Sequence, residues 1–372
     1  MRDTPDQHVS NSDQKTPQHF HPRPHQTARQ AISEAAYQEI LVAVGLGEVL
    51  GSTYEFRQDP FDMPSYEDWR ETLRNEKPEA WRKVLDGAPW NHIVSATGDD
   101  VYFTLALAES LTEKEGFDGA RTAEIFLSKL EENDCYSIGR ATHIAFENLK
   151  KGLPWDQCGA PEEMAGNGSL MRFSPVALLR PHDPEWIIQA SQLQSIITHQ
   201  DKRAAFSAAG ASLVLSSLLR GEPCDREAFA EILVSHLKQH FPKWIHMVDE
   251  WMNQDEDLDS LFDWVARLGS KKGEISNFVG GYAPATLFWT LSLVTRFKND
   301  IMAAIYEVDS RGATMPCDTD TVAAVTSAFS AALGIVDPLF FELIPNIDRH
   351  EALQKMGSSL FEKHTDQELS LS

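Results

Sequence analysis

Two short acidic clusters carry the residue types best suited to chemistry. One is Asp99-Asp100, which follows Thr97-Gly98 and precedes VYFTLALAESL. The other is Asp318-Thr319-Asp320-Thr321, which precedes VAAVTSAFSAALGI. Adjacent carboxylates at the start of a helix are stabilised by its exposed N–H groups and dipole, so either cluster alone reads as a cap. Together they read differently. Four carboxylates with threonine hydroxyls, and no His or Cys bias, make a hard-oxygen donor set that suits Mg²⁺ or Mn²⁺ rather than zinc. Asp318 and Asp320 alternate around Thr319 and can point one way from an extended turn while Thr321 opens the helix. Two metals bridged by such carboxylates could hold a substrate diol and a water.

Three further pieces have chemical potential. Gly45, Gly47 and Gly51 allow close backbone approach and a turn, after which Glu55 is another candidate carboxylate. Gly166-Asn167-Gly168-Ser169-Leu170-Met171-Arg172 offers N–H groups in φ > 0 conformations, a nest for phosphate or ribose oxygens. Thr198-His199-Gln200-Asp201 precedes an alanine-rich helix, with Asp201 as N-cap and His199 available to a ribose hydroxyl. Taken singly, each is more often structural than functional.

The elements that must position these groups are helices. Ile32, Ala36, Ile40 and Val44 recur every four residues with Leu41 beside them, and similar periodicity marks about 101–114, 121–132, 138–150, 184–196, 202–219, 226–240, 283–296, 299–310 and 321–334. Alternating strands are not evident. The expectation is an all-α, compact, single-domain multi-helix fold over residues 30–360. Residues 243–278 read as acidic surface helices packed through Trp251, Leu261, Phe262 and Trp264. Residues 1–29, rich in Gln, His, Pro, Asp and Thr, cannot bury enough apolar surface to offset their ordering entropy and read as a flexible extension; 361–372 read as a polar tail.

Composition excludes several classes. The net charge of −23 repels phosphate backbones, which argues against nucleic acid as a partner. No apolar run suggests a membrane span, and the polar N-terminus is not a secretory signal. The four cysteines, Cys135, Cys158, Cys224 and Cys317, are far apart, which fits a reducing cytoplasm better than a disulfide framework.

In this order, the pieces resemble the ADP-ribosylglycohydrolase family, of the dinitrogenase-reductase-activating glycohydrolase and ADP-ribosylarginine hydrolase type. The similarity runs from about Ile40 to Gly334. The family's G-D-A-L-G-x-x-x-E-F reads Gly47-Glu48-Val49-Leu50-Gly51-Ser52-Thr53-Tyr54-Glu55-Phe56, and its T-D-D-T reads Gly98-Asp99-Asp100-Val101. The G-Y-G turn that touches the diphosphate corresponds to Tyr136-Ser137-Ile138-Gly139. G-N-G-x-x-M-R is complete from Gly166 to Arg172, T-H is Thr198-His199, and G-G-D-T-D-T-I-A-A reads Pro316-Cys317-Asp318-Thr319-Asp320-Thr321-Val322-Ala323-Ala324. The departures are Glu48 for Asp, Gly98 and Val101 for threonines, and Pro316-Cys317 for two glycines.

The resemblance implies an all-α fold and two Mg²⁺ ions, with Mn²⁺ as a substitute, held by Glu55, Asp99, Asp100, Asp318, Asp320 and Thr321. It implies Glu55 or Asp100 as the group that activates water. It implies ADP-ribose contacts from Tyr136, Ser137, Ile138, Gly139, Gly166, Asn167, Gly168, Ser169, Met171 and His199. The substrate would be an ADP-ribosylated protein, arginine-linked as first choice and serine-linked as second. A reading from another class is a binding protein that blocks an ADP-ribosyltransferase toxin through residues 1–29. An immunity protein could combine the two, binding the toxin and reversing its damage.

Overall fold

The first helix begins where the chain can first bury apolar surface. Ser33, in extended conformation, caps it by accepting a hydrogen bond from the Ala36 N–H at 3.2 Å. The computed structural model describes residues 32–55, 62–75, 97–113, 116–132, 138–268 and 281–371. The extension 1–29, Cys135, Tyr136 and Ser137 lie outside these residues. In chain order the helices are α1 (Glu34–Gly51), α2 (Tyr66–Asn75), α3 (Asp99–Glu113), α4 (Gly119–Glu132), α5 (Arg140–Lys150), α6 (Ser174–Leu179), α7 (Pro184–Ile196) and α8 (Lys202–Leu219). They continue as α9 (Arg226–Leu237), α10 (His246–Met252), α11 (Leu258–Leu268), α12 (Ala283–Phe297), α13 (Ile301–Thr314), α14 (Thr319–Ala332), α15 (Pro338–Leu343) and α16 (His350–Leu371). The fold is all-α. The described residues contain no sheet, only isolated bridges between Ala160 and His199 and between Gly166 and Tyr282.

The α1–α14 pair organises the molecule. Every residue of α14 is buried, and its side chains are mostly Ala, Thr, Ser and Val, so neighbours can come close on all sides. The glycines expected to form a turn lie within α1 instead. A Cβ on Gly47 would collide with the Ala323 carbonyl, and one on Gly51 with the Thr319 carbonyl. Glycine at these positions, one helical turn apart, lets the two backbones touch, which outweighs its poor helix propensity. The turn comes afterwards, at Ser52–Glu55, where the Tyr54 N–H donates to the Gly51 carbonyl at 3.0 Å. The C-terminal end of α1 is thereby fixed beside the N-terminal end of α14.

Other helices wall this pair. Phe173, at the start of α6, meets Phe329 of α14 at 5.3 Å between ring centroids. The α10 and α11 helices pack onto α12 through the expected aromatics. Trp251 Nε1 donates to Ser292 Oγ at 2.9 Å, and Phe262 and Trp264 meet Trp289 and Phe288 at 5.1 and 5.4 Å. The polar tail expected beyond residue 361 is a continuation of α16, which runs to Leu371. Phe361 and His364 pack against Tyr37 of α1, and that contact keeps the polar sequence helical.

Candidate functional site

Six carboxylates converge where α1, α3 and α14 meet. One oxygen each from Glu48, Asp99 and Asp100 lie within 4.8 Å of one another, as do one each from Glu55, Asp318 and Asp320. Thr321 links the groups, its hydroxyl donating to Asp100 Oδ2 at 3.4 Å. Asn167 Nδ2 donates to Asp318 Oδ2 at 3.1 Å.

The aspartate clusters are only partly used at their helix starts, where Asp320 Oδ1 accepts from the Thr321 N–H at 2.7 Å. Glu48 reaches across from α1 and accepts hydrogen bonds from the Asp100 N–H at 2.8 Å and the Val101 N–H at 3.4 Å. It therefore caps α3 in place of Asp99 and Asp100. Asp318 occupies the N-cap position of α14 without a side-chain cap bond. Asp100 Oδ1 and Asp318 Oδ1 are buried without a hydrogen-bond partner.

Electrostatics makes the same case. Burial, with like charge from Asp318 and Asp99, raises Glu55 to about 8. Burial and Asp318 raise Asp99 to about 7. Glu48, Asp100 and Asp320 are held well above the usual carboxylate range, first by burial and then by neighbouring carboxylates. Positive charge entering the cluster would favour the ionised form of these raised carboxyls. Oxygen-only donors, two orphaned buried oxygens and mutual repulsion fit hard divalent cations.

A cavity of about 340 Å³ opens beside the carboxylates. Glu55, Asp99, Asp318, Asp320 and Thr321 form one wall. Gly139, Thr142, Gly166, Asn167, Gly168, Met171 and His199 form another. Gly139 is the N-cap residue of α5 and has no side-chain cap. Ile138 packs on the core beside it. Ser169 is buried behind the wall, its hydroxyl accepting from Ser195 at 3.1 Å.

The expected φ > 0 nest does not form. Gly166 has φ −69°, Gly168 is not among the positive-φ glycines, and the Asn167 N–H donates to the Gly281 carbonyl at 2.8 Å. The glycines are needed because the loop lies against His199. A Cβ on Gly166 would stand 2.8 Å from Nε2, and one on Gly168 2.9 Å from Cε1. Asp201 caps α8 as expected, accepting from the Arg203 N–H at 2.8 Å.

Two participants escape a reading of the sequence. Glu48 stands there only as a departure from a motif, although an acid inside the apolar run ILVAVGLGEVLG signals a buried role. The adjoining departure has a steric reason, since a Cβ on Gly98 would stand 2.9 Å from Glu48 Oε1. The second is Arg172, fully buried, lowered to about 9 by burial, and lying over the Phe126 ring at 4.8 Å.

The sequence model of the ADP-ribosylglycohydrolase family matches residues 29–369, and the chain belongs to that family of hydrolases. The chain is similar to the ADP-ribosylarginine hydrolase Tri1 of Pseudomonas putida, 24% identical over 347 residues that cover 91% of this chain and 80% of that protein. An uncharacterized protein of Archaeoglobus fulgidus is 21% identical over 334 residues, covering 89% and 97% of the two chains. A solved structure of an ADP-ribosylglycohydrolase-related protein complex shares the fold with a TM-score of 0.59 and 21% identity, covering 89% of this chain and 99% of that one. No helix among the described residues is long and apolar enough to cross a membrane.

Proposed function

We propose that the protein removes ADP-ribose from a modified protein side chain, with arginine-linked ADP-ribose as the preferred substrate. The observation that carries the reading is the convergence of Glu55, Asp99, Asp318 and Asp320 on the lining of one cavity, with Glu48 and Asp100 grouped with Asp99. The arginine preference rests on the similarity to a protein named ADP-ribosylarginine hydrolase.

Glu55, Asp99, Asp100, Asp318, Asp320 and Thr321 would hold two Mg²⁺ ions. Bound there, the ions supply Lewis acidity toward substrate hydroxyls and positive charge that favours the ionised carboxylates. The protein's own groups do the rest. Glu55 is the least enclosed of the six acids and lies on the cavity wall, where a water can reach it. Its carboxylate accepts a proton as water oxygen bonds to the anomeric carbon. The bond to the side-chain nitrogen breaks, and that nitrogen leaves with the electron pair and takes up a proton. The surrounding carboxylates stabilise the positive character of the anomeric carbon at the transition state. Asp100 is fully buried and accepts from Thr321, a place better suited to holding a cation than to meeting water. Gly166, Asn167, Gly168, Met171 and His199 line the space for the nucleotide and ribose.

The test is incubation with arginine-, serine- and glutamate-ADP-ribosylated proteins, with and without Mg²⁺, measuring released ADP-ribose. Release from the arginine-linked protein in Mg²⁺ alone is expected. Release only from the serine-linked protein would overturn the linkage, and release unaffected by EDTA would overturn the role of the carboxylates.

A further inference from the structure

Arg172 spends its guanidinium donors inside the protein. Nε donates to Gln194 Oε1 at 2.7 Å, Nη1 to the Gly168 carbonyl at 2.7 Å, and Nη2 to the Gln194 carbonyl at 2.9 Å and Thr198 Oγ1 at 2.7 Å. A guanidinium cannot accept, so Thr198 Oγ1 is the acceptor in that last bond. Thr198 is fully buried and its hydroxyl has one proton to place. The other side-chain partner of that oxygen is His199 Nδ1, at 2.8 Å.

Two arrangements are conceivable. If Nδ1 carried a proton and donated it to Thr198, the hydroxyl oxygen would accept twice and its own proton would be stranded in a dry interior. That costs the full desolvation of a buried donor. If the hydroxyl donates to Nδ1, the hydroxyl proton and Nδ1 are both satisfied. The ring proton then sits on Nε2, the nitrogen that lies closest to Gly166 at the cavity wall.

We propose that Arg172 and Thr198 are positioning residues that lock His199 as the neutral Nε2–H tautomer, an obligate hydrogen-bond donor to an oxygen of ADP-ribose in the cavity. The identity of the ligand rests on the function proposed above; the tautomer does not. Burial and the Arg172 charge also hold the ring neutral, lowering His199 to about 3. Gln194 and the Gly168 carbonyl fix the guanidinium, so the direction of the relay is set before any ligand arrives. The GNGxxMR and TH motifs act as one unit, the arginine of the first orienting the histidine of the second.

The experiment uses the full chain labelled with ¹⁵N-histidine, the His199 signals being assigned by their loss in His199→Asn. The wild type without ligand is expected to show His199 protonated on Nε2 and bare on Nδ1, and Thr198→Ser is expected to keep that pattern. Thr198→Val should lose it and should bind ADP-ribose in calorimetry with Mg²⁺ at least about tenfold more weakly, whereas Thr198→Ser stays within about threefold of wild type. A proton on Nδ1 in the wild type overturns the proposal, and this holds even if Thr198→Val fails to fold. So does a Thr198→Val protein that melts like wild type and binds ADP-ribose equally well. A wild type that shows the Nε2–H tautomer but binds no ADP-ribose supports the lock and removes ADP-ribose as its ligand, which is the failure of the functional reading instead.

Discussion

Glu55→Gln tests the electrostatic account of the site in the metal-free protein. Burial, Asp318 and Asp99 raise the Glu55 carboxyl from 4.5 to about 8. A carboxyl raised in this way keeps its proton in the folded state at pH values where the unfolded chain has lost it. Its contribution to stability is fully present below about pH 4.5 and is lost as pH rises toward 8. Across that window the wild type should lose up to ~1.4 kcal/mol per pH unit relative to a variant that cannot titrate there. Glu55 is partly exposed, so solvent screening is expected to reduce the difference between about pH 5.5 and 8 to ~2 kcal/mol. Glutamine keeps the shape and removes the charge. The assay is urea unfolding of both proteins in EDTA at the two pH values, comparing the wild-type-minus-variant difference so that other effects of the amide cancel. Added Mg²⁺ at pH 8 should stabilise the wild type more than the variant. A difference that stays the same within ~0.5 kcal/mol across the pH range would refute the reasoning, because the carboxylate would then have no elevated titration to lose.

The helix contact predicts a steric contrast. Gly47→Ala drives a Cβ into the Ala323 backbone and should cost ~2 kcal/mol or more, whereas Gly45→Ala meets the movable end of Leu353 and should cost clearly less in the same thermal melts. Glu48→Asp should withdraw the cap from the Asp100 N–H and cost ~1 kcal/mol, and Gly98→Thr should clash with Glu48. The double variant should recover part of both losses, and strict additivity in urea unfolding would show that the two sites are independent. If residues 1–29 are a binding element for an ADP-ribosyltransferase toxin, deleting them should weaken complex formation with a candidate toxin while hydrolysis of a small ADP-ribosylated substrate is unchanged. Equal affinity with and without the segment, measured by calorimetry, would remove it as a binding element.

Much of the fold was legible because long periodic runs bury one face or all faces whatever surrounds them. The helices α8, α12 and α14 fall where Leu, Phe, Ala and Val recur at helical spacing. The α2 helix was not legible. Its sequence, YEDWRETLRN, buries only Trp69 and Leu73, and it is held from outside by packing with α15 and by the Trp69–Tyr306 ring contact at 5.5 Å. Helix ends were also less legible. Asp99 begins α3, ahead of the expected position 101, because Glu48 supplies the missing cap from another helix. Likewise α16 continues through residues that are polar in sequence, because Tyr37 offers them a surface.

The candidate site divides in the same way. Residue type and local spacing, both properties of the chain, mark Asp99, Asp100, Asp318 and Asp320 as hard-oxygen donors and make Asp201 a cap. Glu48 as a cap, Gly98 as the space for it, and Gly166 and Gly168 as a surface against His199 follow from contacts between residues about 30 to 50 positions apart. No local pattern encodes such contacts. Whether four aspartates were two separate caps or one cluster depended on α3 and α14 both packing against α1, and the approach of α1 to α14 requires glycine on one helix to lie opposite carbonyls of the other. The sequence alone determined which groups could bind a cation. Packing decided that they face one another, because the distance between two charges is set by the helices that carry them.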